Sequence, residues 1–314
     1  MPGFPPSSVA LPQPPTSTFI HDCSFDYYGR RLATCSGDRF LRIYTLEENG
    51  EWILKPTSTF LAHEASLWRC TWSHPTYGSL LSTCSDDSTS IIWEEDPSSH
   101  KWIKKATLSD SRKPVQVVEF CPEHVGLRLA TGSADGVIRI YEAIDVLNLE
   151  HWPLSQRFDA CLEGELGVTA LSWCRSRFDG LMIVVGGSSG SLKVWKFSEG
   201  SRSWKVYVEL DGFQERVLDV KWANGVGRGY HLISAVAGGG VVRVYKFKRD
   251  KAEEEVGEKE KDVDVRTLET KEGEDVWRLG WNETGTVLAT SGEGGKVNMW
   301  KATFDGDWKC VEEV

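Results

Sequence analysis

The sequence predicts an all-β chain folded as a six-bladed β-propeller, and three observations carry the prediction. The stretch VWRLGWNETGTVLATSGEGGKVNMW at 276–300 recurs as five further imperfect copies. Inside each copy the apolar runs are short, alternate with period two and are separated by Gly-, Asp- and Ser-containing turns, a pattern of strands rather than of globular helices. A further run follows the copies, opened in four of them by Trp52, Trp102, Trp204 or Trp308. Six units of four strands, each roughly 40–50 residues long, make propeller blades.

Taken in order, residues 1–18 hold six prolines (Pro2, Pro5, Pro6, Pro12, Pro14, Pro15). Proline offers no amide donor, so this segment is expected to be a disordered lead-in, with one propeller over 19–314. The copies begin at 20, 66, 115, 168, 217 and 276, and their first strands end on Phe25, Trp72, Phe120, Trp173, Trp222 and Trp281. Their third strands end on Tyr44, Trp93, Tyr141, Trp195, Tyr245 and Trp300. The turns between second and third strands read SGD, SDDS, SADG, SSG, GGG and GEGG, which suit tight hairpins. The fourth strands are placed at 52–60, 102–108, 204–210 and 308–314. Two copies depart from this. After Tyr141, the apolar spacing of EAIDVLNLEHWPL suggests a short helix before a strand near 156–162. After Tyr245 comes a charged loop insertion, 249–262, with seven acidic and four basic residues, then a strand near 263–269.

Composition excludes several classes of function. A net charge of −10 and a pI near 5.3 argue against a general nucleic-acid binder, although a local basic face remains open. Eight cysteines without C-x-x-C spacing suggest neither a zinc site nor a redox motif; Cys35 and Cys84 occupy matching positions as small buried hydrophobes of a reducing compartment. No apolar run approaches ~18 residues, so membrane insertion is not expected. The first residues lack the charged and apolar regions of a signal peptide.

Candidate chemistry resolves into structure. Gly225, Gly227 and Gly229 lie between two strands with no helix following, so the phosphate-loop reading fails its context. His63 and His21 are assigned structural hydrogen bonds, and no histidine pair has metal-ligand spacing. Asp38, Asp87 and Asp135 are equivalent turn positions rather than an acid–base set. A non-enzymatic protein without cofactor or metal is expected.

Ring closure is open to two readings. The last blade supplies its own outer strand at 308–314, and the proline-rich start is unsuited to pairing, so no strand staples the first blade to the sixth. Either the six blades close by side-chain packing, or a partner supplies a blade in trans and covers the apolar faces. Periodicity does not choose between them.

The copies resemble WD repeats, although none contains the WD dipeptide; their third strands end in IYT, IWE, IYE, VWK, VYK and MWK. More specifically, IHDCSFDYYGRRLATCSGD, LSDSR, GLRLATGSADGVIRIYEA with NLEHW, SWCRSRF and WNETGTVLATSGEGGKVNMWKATF resemble the Seh-type WD-repeat nucleoporins of the Y-shaped, outer-ring nuclear pore subcomplex. The resemblance spans roughly residues 20–310. A near sibling, the Sec-type propeller of the COPII coat, is similar in IHD, DYYG, LATCS and SHPTYG, but the third and fourth copies favour the nucleoporins. The resemblance implies an open propeller completed by a blade from an α-solenoid nucleoporin. It also implies other Y-complex subunits as partners, a place at the nuclear envelope in nucleocytoplasmic transport, and a second role in a vacuolar or lysosomal complex regulating TOR signalling. Phe19, Ile20 and His21 of the first copy and Val297, Met299 and Trp300 of the last are the candidate partner-binding residues. The alternatives are a COPII-type vesicle coat propeller, or a peptide-reading WD-repeat adaptor using its top-face loops.

Overall fold

In a computed structural model of the chain, residues 11–12, 19–160, 167–225, 227–249, 262–269 and 275–313 are described. The fold is an all-β, six-bladed β-propeller, with no α-helix among those residues. Blade 1 comprises β1 (Ile20–Phe25), β2 (Arg31–Ser36), β3 (Phe40–Leu46) and β4 (Trp52–Leu61). Blade 2 comprises β5 (Leu67–Trp72), β6 (Leu80–Ser85), β7 (Ser90–Glu95) and β8 (Trp102–Leu108). Blade 3 comprises β9 (Val115–Phe120), β10 (Arg128–Ser133), β11 (Val137–Glu142) and β12 (Leu154–Asp159). Blade 4 comprises β13 (Val168–Trp173), β14 (Met182–Gly187), β15 (Leu192–Ser198) and β16 (Ser203–Leu210). Blade 5 comprises β17 (Val217–Trp222), β18 (Tyr230–Ala237), β19 (Val242–Lys248) and β20 (Val263–Leu268). Blade 6 comprises β21 (Val276–Trp281), β22 (Val287–Gly292), β23 (Val297–Ala302) and β24 (Trp308–Glu313). Every sheet is a meander in sequence order, and each blade is made wholly of its own four strands.

The chain forms two compact units. Met1–Asp135 with Arg139–Arg157 holds blades 1, 2 and most of blade 3; Gly136–Ile138 with Phe158–Val314 holds blades 4 to 6. Within each unit successive blades bury their facing side chains. Blades 1 and 2 share Ala33, Cys35, Ile43, Cys70 and Ile91; blades 4 and 5 share Val184, Val194, Val220 and Trp222. Each such aliphatic side chain taken from water stabilises the fold by about 1.5–3 kcal/mol. The inner strands are also stitched by carboxylates. Asp22 accepts the Cys70 amide at 3.2 Å, and Asp219 accepts the Leu279 amide at 3.1 Å. Both carboxylates stand third in their inner strands and reach the fourth residue of the next blade's.

One turn position explains a repeated sequence choice. The fourth residue of each second-to-third-strand turn has positive φ: Arg39 (73°), Ser88 (66°), Gly136 (82°), Gly190 (87°), Gly240 (73°) and Gly295 (67°). Glycine adopts that conformation without the roughly 1–2 kcal/mol that other residues incur. At Gly190 it is required twice over, because a Cβ there would sit 2.1 Å from the Phe213 carbonyl oxygen.

Two sequence expectations change. The helix expected after Tyr141 is absent: residues 143–153 are bends and turns, and the strand that follows is Leu154–Asp159 rather than 156–162. Asp145 accepts the Leu147 amide at 2.8 Å and Asn148 accepts the Glu150 amide at 3.3 Å, so side chains capture amides that a helix would need, and Pro153 ends the segment. The expectation of disorder over 1–18 lies outside the described residues except at Leu11 and Pro12; there the Tyr44 hydroxyl donates to the Pro12 carbonyl at 3.4 Å. The insertion likewise lies outside them, apart from Arg249 and Asp262.

Candidate partner-docking faces

The polar side chains that sequence reading singled out in the turns are spent on the blades themselves. In blade 2, His63 bridges Asp87 (Nδ1 to Oδ2, 2.8 Å) and Thr83 (Nε2 to Oγ1, 2.8 Å), and the Trp93 indole donates to Thr83 at 3.0 Å. The relay links a surface turn to a core tryptophan. Burial opposes ionisation of Asp87, but hydrogen bonds from His63 and Thr89 outweigh it and hold its carboxyl well below the usual range. In blade 1, Asp38 binds Arg42 (2.5 Å) and the Ser36 hydroxyl; in blade 3, Asp135 binds Arg139 (2.7 Å) and the Ser133 hydroxyl. The three equivalent carboxylates therefore each anchor their own hairpin.

Two side-chain groups have metal-ligand composition that spacing did not flag: Asp22, Cys35 and Cys70, and Cys174, Asp179 and His231, with ligand atoms within 4.8 Å of one another. In the first, Asp22 is held by the Cys70 amide and lies 3.7 Å from the Arg69 guanidinium. In the second, Arg249 Nε is 2.9 Å from Asp179 and already supplies the positive charge, while burial pushes the Cys174 thiol up to about 12. Both read as satisfied packing.

The informative contrast is between faces. Call the side of a blade towards the preceding one upstream, and the other downstream. The last aromatic of each first strand points upstream: the Trp72 indole donates to the Ser24 carbonyl at 2.9 Å, and that of Trp281 to the Lys221 carbonyl at 3.2 Å. Phe120, Trp173 and Trp222 at this position are 8%, 2% and 5% exposed, whereas Phe25 of blade 1 is 57% exposed. Cys23 is exposed too, although its equivalent Cys70 is buried against Ala33 and Ile43.

Blade 6 shows the complementary change. Leu288, Thr290, Asn298 and Trp300 are buried, and Leu288 and Trp300 pack upstream with Val236, Val242 and Val244 of blade 5. Pairing places Ala289 opposite Met299 and Ser291 opposite Val297 on the downstream side, where all four are only half-buried. Their equivalents in blade 5, Ser234, Val244, Val236 and Val242, are buried. The apolar pattern of a covered face is present in blade 6, yet these four side chains are only half-buried.

The six sequence-picked residues divide accordingly. Val297 and Met299 lie together on the half-buried downstream face. Trp300 lies on the other side, 4% exposed, its indole donating to Thr290 at 3.1 Å, so it supports that face from behind. Phe19 and Ile20 are exposed where the chain enters β1. His21 is held within the first unit: it stacks on Trp68 (4.7 Å between ring centroids) and its Nδ1 lies 2.7 Å from the Leu67 carbonyl. Sequence reading missed Cys23 and Phe25, which aligning the copies position by position points out once burial is known.

Self-contained four-stranded blades, turn carboxylates bound within their own hairpins and a His–Asp–Thr–Trp relay define a WD-repeat propeller. The WD domain, G-beta repeat family model matches residues 9–45, 54–94 and 263–301; the second and third matches run from an outer strand into the third strand of the next blade. Nucleoporin SEH1 of Xenopus tropicalis and of Homo sapiens are each 37% identical to this chain over 310 residues, covering 93% of it and 84% of their own length. Nucleoporin SEH1 of Danio rerio is 38% identical over 311 residues. The chain belongs to the nucleoporin SEH1 family. A chain of the structure titled "Crystal Structure of Mitotic Checkpoint Complex" shares the fold with a TM-score of 0.66 and 15% identity, covering 91% of this chain and 75% of that one.

Proposed function

We propose that this protein is a non-enzymatic scaffold of the nuclear pore complex, within its outer-ring Y-shaped subcomplex, and that a partner blade packs on the downstream face of blade 6. The single observation that carries the reading is the half-buried pair Val297 and Met299, set where the equivalent Val242 and Val244 of blade 5 are buried by the next blade. Apolar side chains in strand register and without cover suit a blade-shaped partner, because such a partner repeats the packing that the other blades already use. An α-solenoid nucleoporin that carries a blade-forming segment is the expected partner, and the exposed Cys23 and Phe25 of blade 1 offer it a second surface. The vacuolar or lysosomal TOR-regulating complex is the other assembly in which the same faces would serve.

Co-expression with a candidate solenoid nucleoporin tests this. A stable one-to-one complex is expected, and Val297→Glu with Met299→Glu should abolish it while leaving the melting temperature of the free chain within about 2 °C, since both positions are half-exposed. A wild-type chain that stays monomeric and gains no stability from the partner would count against the reading, as would a double variant that still assembles.

A further inference from the structure

In a chain of net charge −10, residues 167–249 hold thirteen Lys and Arg against six Asp and Glu, a local net of +7. The charge is not spread evenly. In a meander the first-to-second and third-to-fourth connections of a blade emerge at one end, and the remaining connections at the other. Arg175, Arg177, Arg202, Lys205, Lys246 and Lys248 all lie in, or within three residues of, the first kind of connection in blades 4 and 5, and all six are exposed. Two acidic groups at this end have partners of their own: Asp179 is ion-paired with Arg249, and Asp264 with Arg266. Glu199 is exposed there, as are Glu283, Asp305 and Asp307 in the equivalent connections of blade 6, where Asp307 pairs with Arg266.

The same end of the second unit carries two protruding phenylalanines. Phe178, flanked by Arg175 and Arg177, is 87% exposed, and Phe304, in the third-to-fourth connection of blade 6, is fully exposed. The backbone that presents them is braced. Arg249 reaches from blade 5 to Ser176 in blade 4 at 2.9 Å, and Arg228 reaches from blade 5 to the Thr284 carbonyl of blade 6 at 2.5 Å.

We propose that this end of blades 4 to 6 is a docking surface for an anionic lipid membrane, with Phe178 and Phe304 entering the headgroup boundary and the arginines and lysines contacting acidic headgroups. Cations supply a long-range, salt-sensitive attraction, and apolar side chains on separate tips supply short-range burial; together they make a peripheral contact without a span. No helix among the described residues is long and apolar enough to cross a membrane, consistent with surface attachment. A bilayer accepts exposed apolar side chains on separate tips without a preformed groove. A peptide would require a groove, and a stacked nucleic acid would require aromatic platforms in place of isolated tips. The insertion 249–262, which connects β19 to β20, holds seven acidic and four basic residues in its sequence. The inference does not depend on the partner-blade reading, because it uses other residues and needs no protein partner.

Vesicle co-sedimentation of the full chain is the test. Binding is expected to phosphatidylcholine vesicles containing 30% phosphatidylserine, and not to pure phosphatidylcholine. It should weaken steeply between about 0.05 and 0.3 M salt. Arg175→Ala with Lys248→Ala should reduce the partition constant about 25-fold, at about fivefold per cation. Phe178→Ser and Phe304→Ser should each reduce it severalfold with circular dichroism unchanged, and deletion of 250–261 should raise it. The proposal fails if neither the full chain nor the deletion variant sediments with anionic vesicles at low salt. It also fails if the phenylalanine variants bind as wild type, or if the chain binds single-stranded RNA but not vesicles.

Discussion

Phe25 and Trp173 hold the same position in blades 1 and 4: each ends a six-residue inner strand, and each follows a serine. One is 57% exposed and the other 2%. Val297 and Val242 differ in the same way between blades 6 and 5. The strands are alike because local sequence makes strands; the burial differs because it depends on what lies against the blade. A repeat protein therefore has two kinds of apolar residue in identical sequence context, one serving the fold and one available to a partner.

The largest effect that tests this contrast is on stability. Trp173→Ala should cost about 3–5 kcal/mol, since it empties a large site in a packed core, whereas Phe25→Ala should cost less than about 1 kcal/mol. Denaturant midpoints of the two variants against wild type measure both. Equal losses would mean that Phe25 is already covered in the free chain, and the contrast between blades 1 and 4 would collapse.

A smaller effect separates blades 2 and 6. Both have a tryptophan–threonine hydrogen bond, Trp93 to Thr83 and Trp300 to Thr290, but only in blade 2 do His63 and Asp87 extend it to a surface turn. Asp87→Asn should cost about 1.5–3 kcal/mol at neutral pH, the range for a hydrogen bond to a charged group. The sign of its pH dependence follows from the lowered pKa of Asp87 in the fold. Its stabilisation is complete above the unfolded carboxylate value near ~4 and is lost as the pH falls below that value. Wild type should therefore lose more stability than Asp87→Asn between about pH 5 and pH 2, as measured by thermal melts. Parallel acid limbs would show that the relay is not electrostatic.

The blades were legible from residues alone because each level of the signal agrees. Alternation, turn chemistry and the aromatic at strand ends all mark the same boundaries, so β8 begins at Trp102 and ends at Leu108 as expected. The segment after Tyr141 misled because Ile144 and Leu147, and Val146 and Leu149, stand three residues apart as on a helix, yet only Leu149 is buried; the exposed Ile144, Val146 and Leu147 do not form the continuous buried stripe a helix needs. The docking faces were half legible. Val297 and Met299 could be named from the repeat, but strand phase put Trp300 on the opposite side. Cys23 and Phe25 look like core because their sequence context is that of core. The basic end of blades 4 and 5 was hidden by the net charge, which averages a cationic region with an acidic remainder.

The smallest effect is chemical, and it isolates a single position. Cys23 and Cys70 are both fourth in an inner strand. Hydrogen bonding to Cys35 and burial push the Cys70 thiol well above its ordinary range, so it is neither ionised nor reachable, while Cys23 is exposed. Only the thiolate reacts appreciably with a maleimide, and only where the reagent can approach. Brief N-ethylmaleimide treatment of the folded chain, read by peptide mass spectrometry, should therefore label Cys23 and the exposed Cys310 and spare Cys70 and Cys84. Cys310 pairs opposite Trp300 and so shares its side of the sheet, away from Met299, which makes it an internal reference for reagent access. In the complex with a blade-donating partner, labelling of Cys23 should fall relative to Cys310. An unchanged ratio would confine the partner to blade 6 and leave Phe25 and its neighbours without a role in docking.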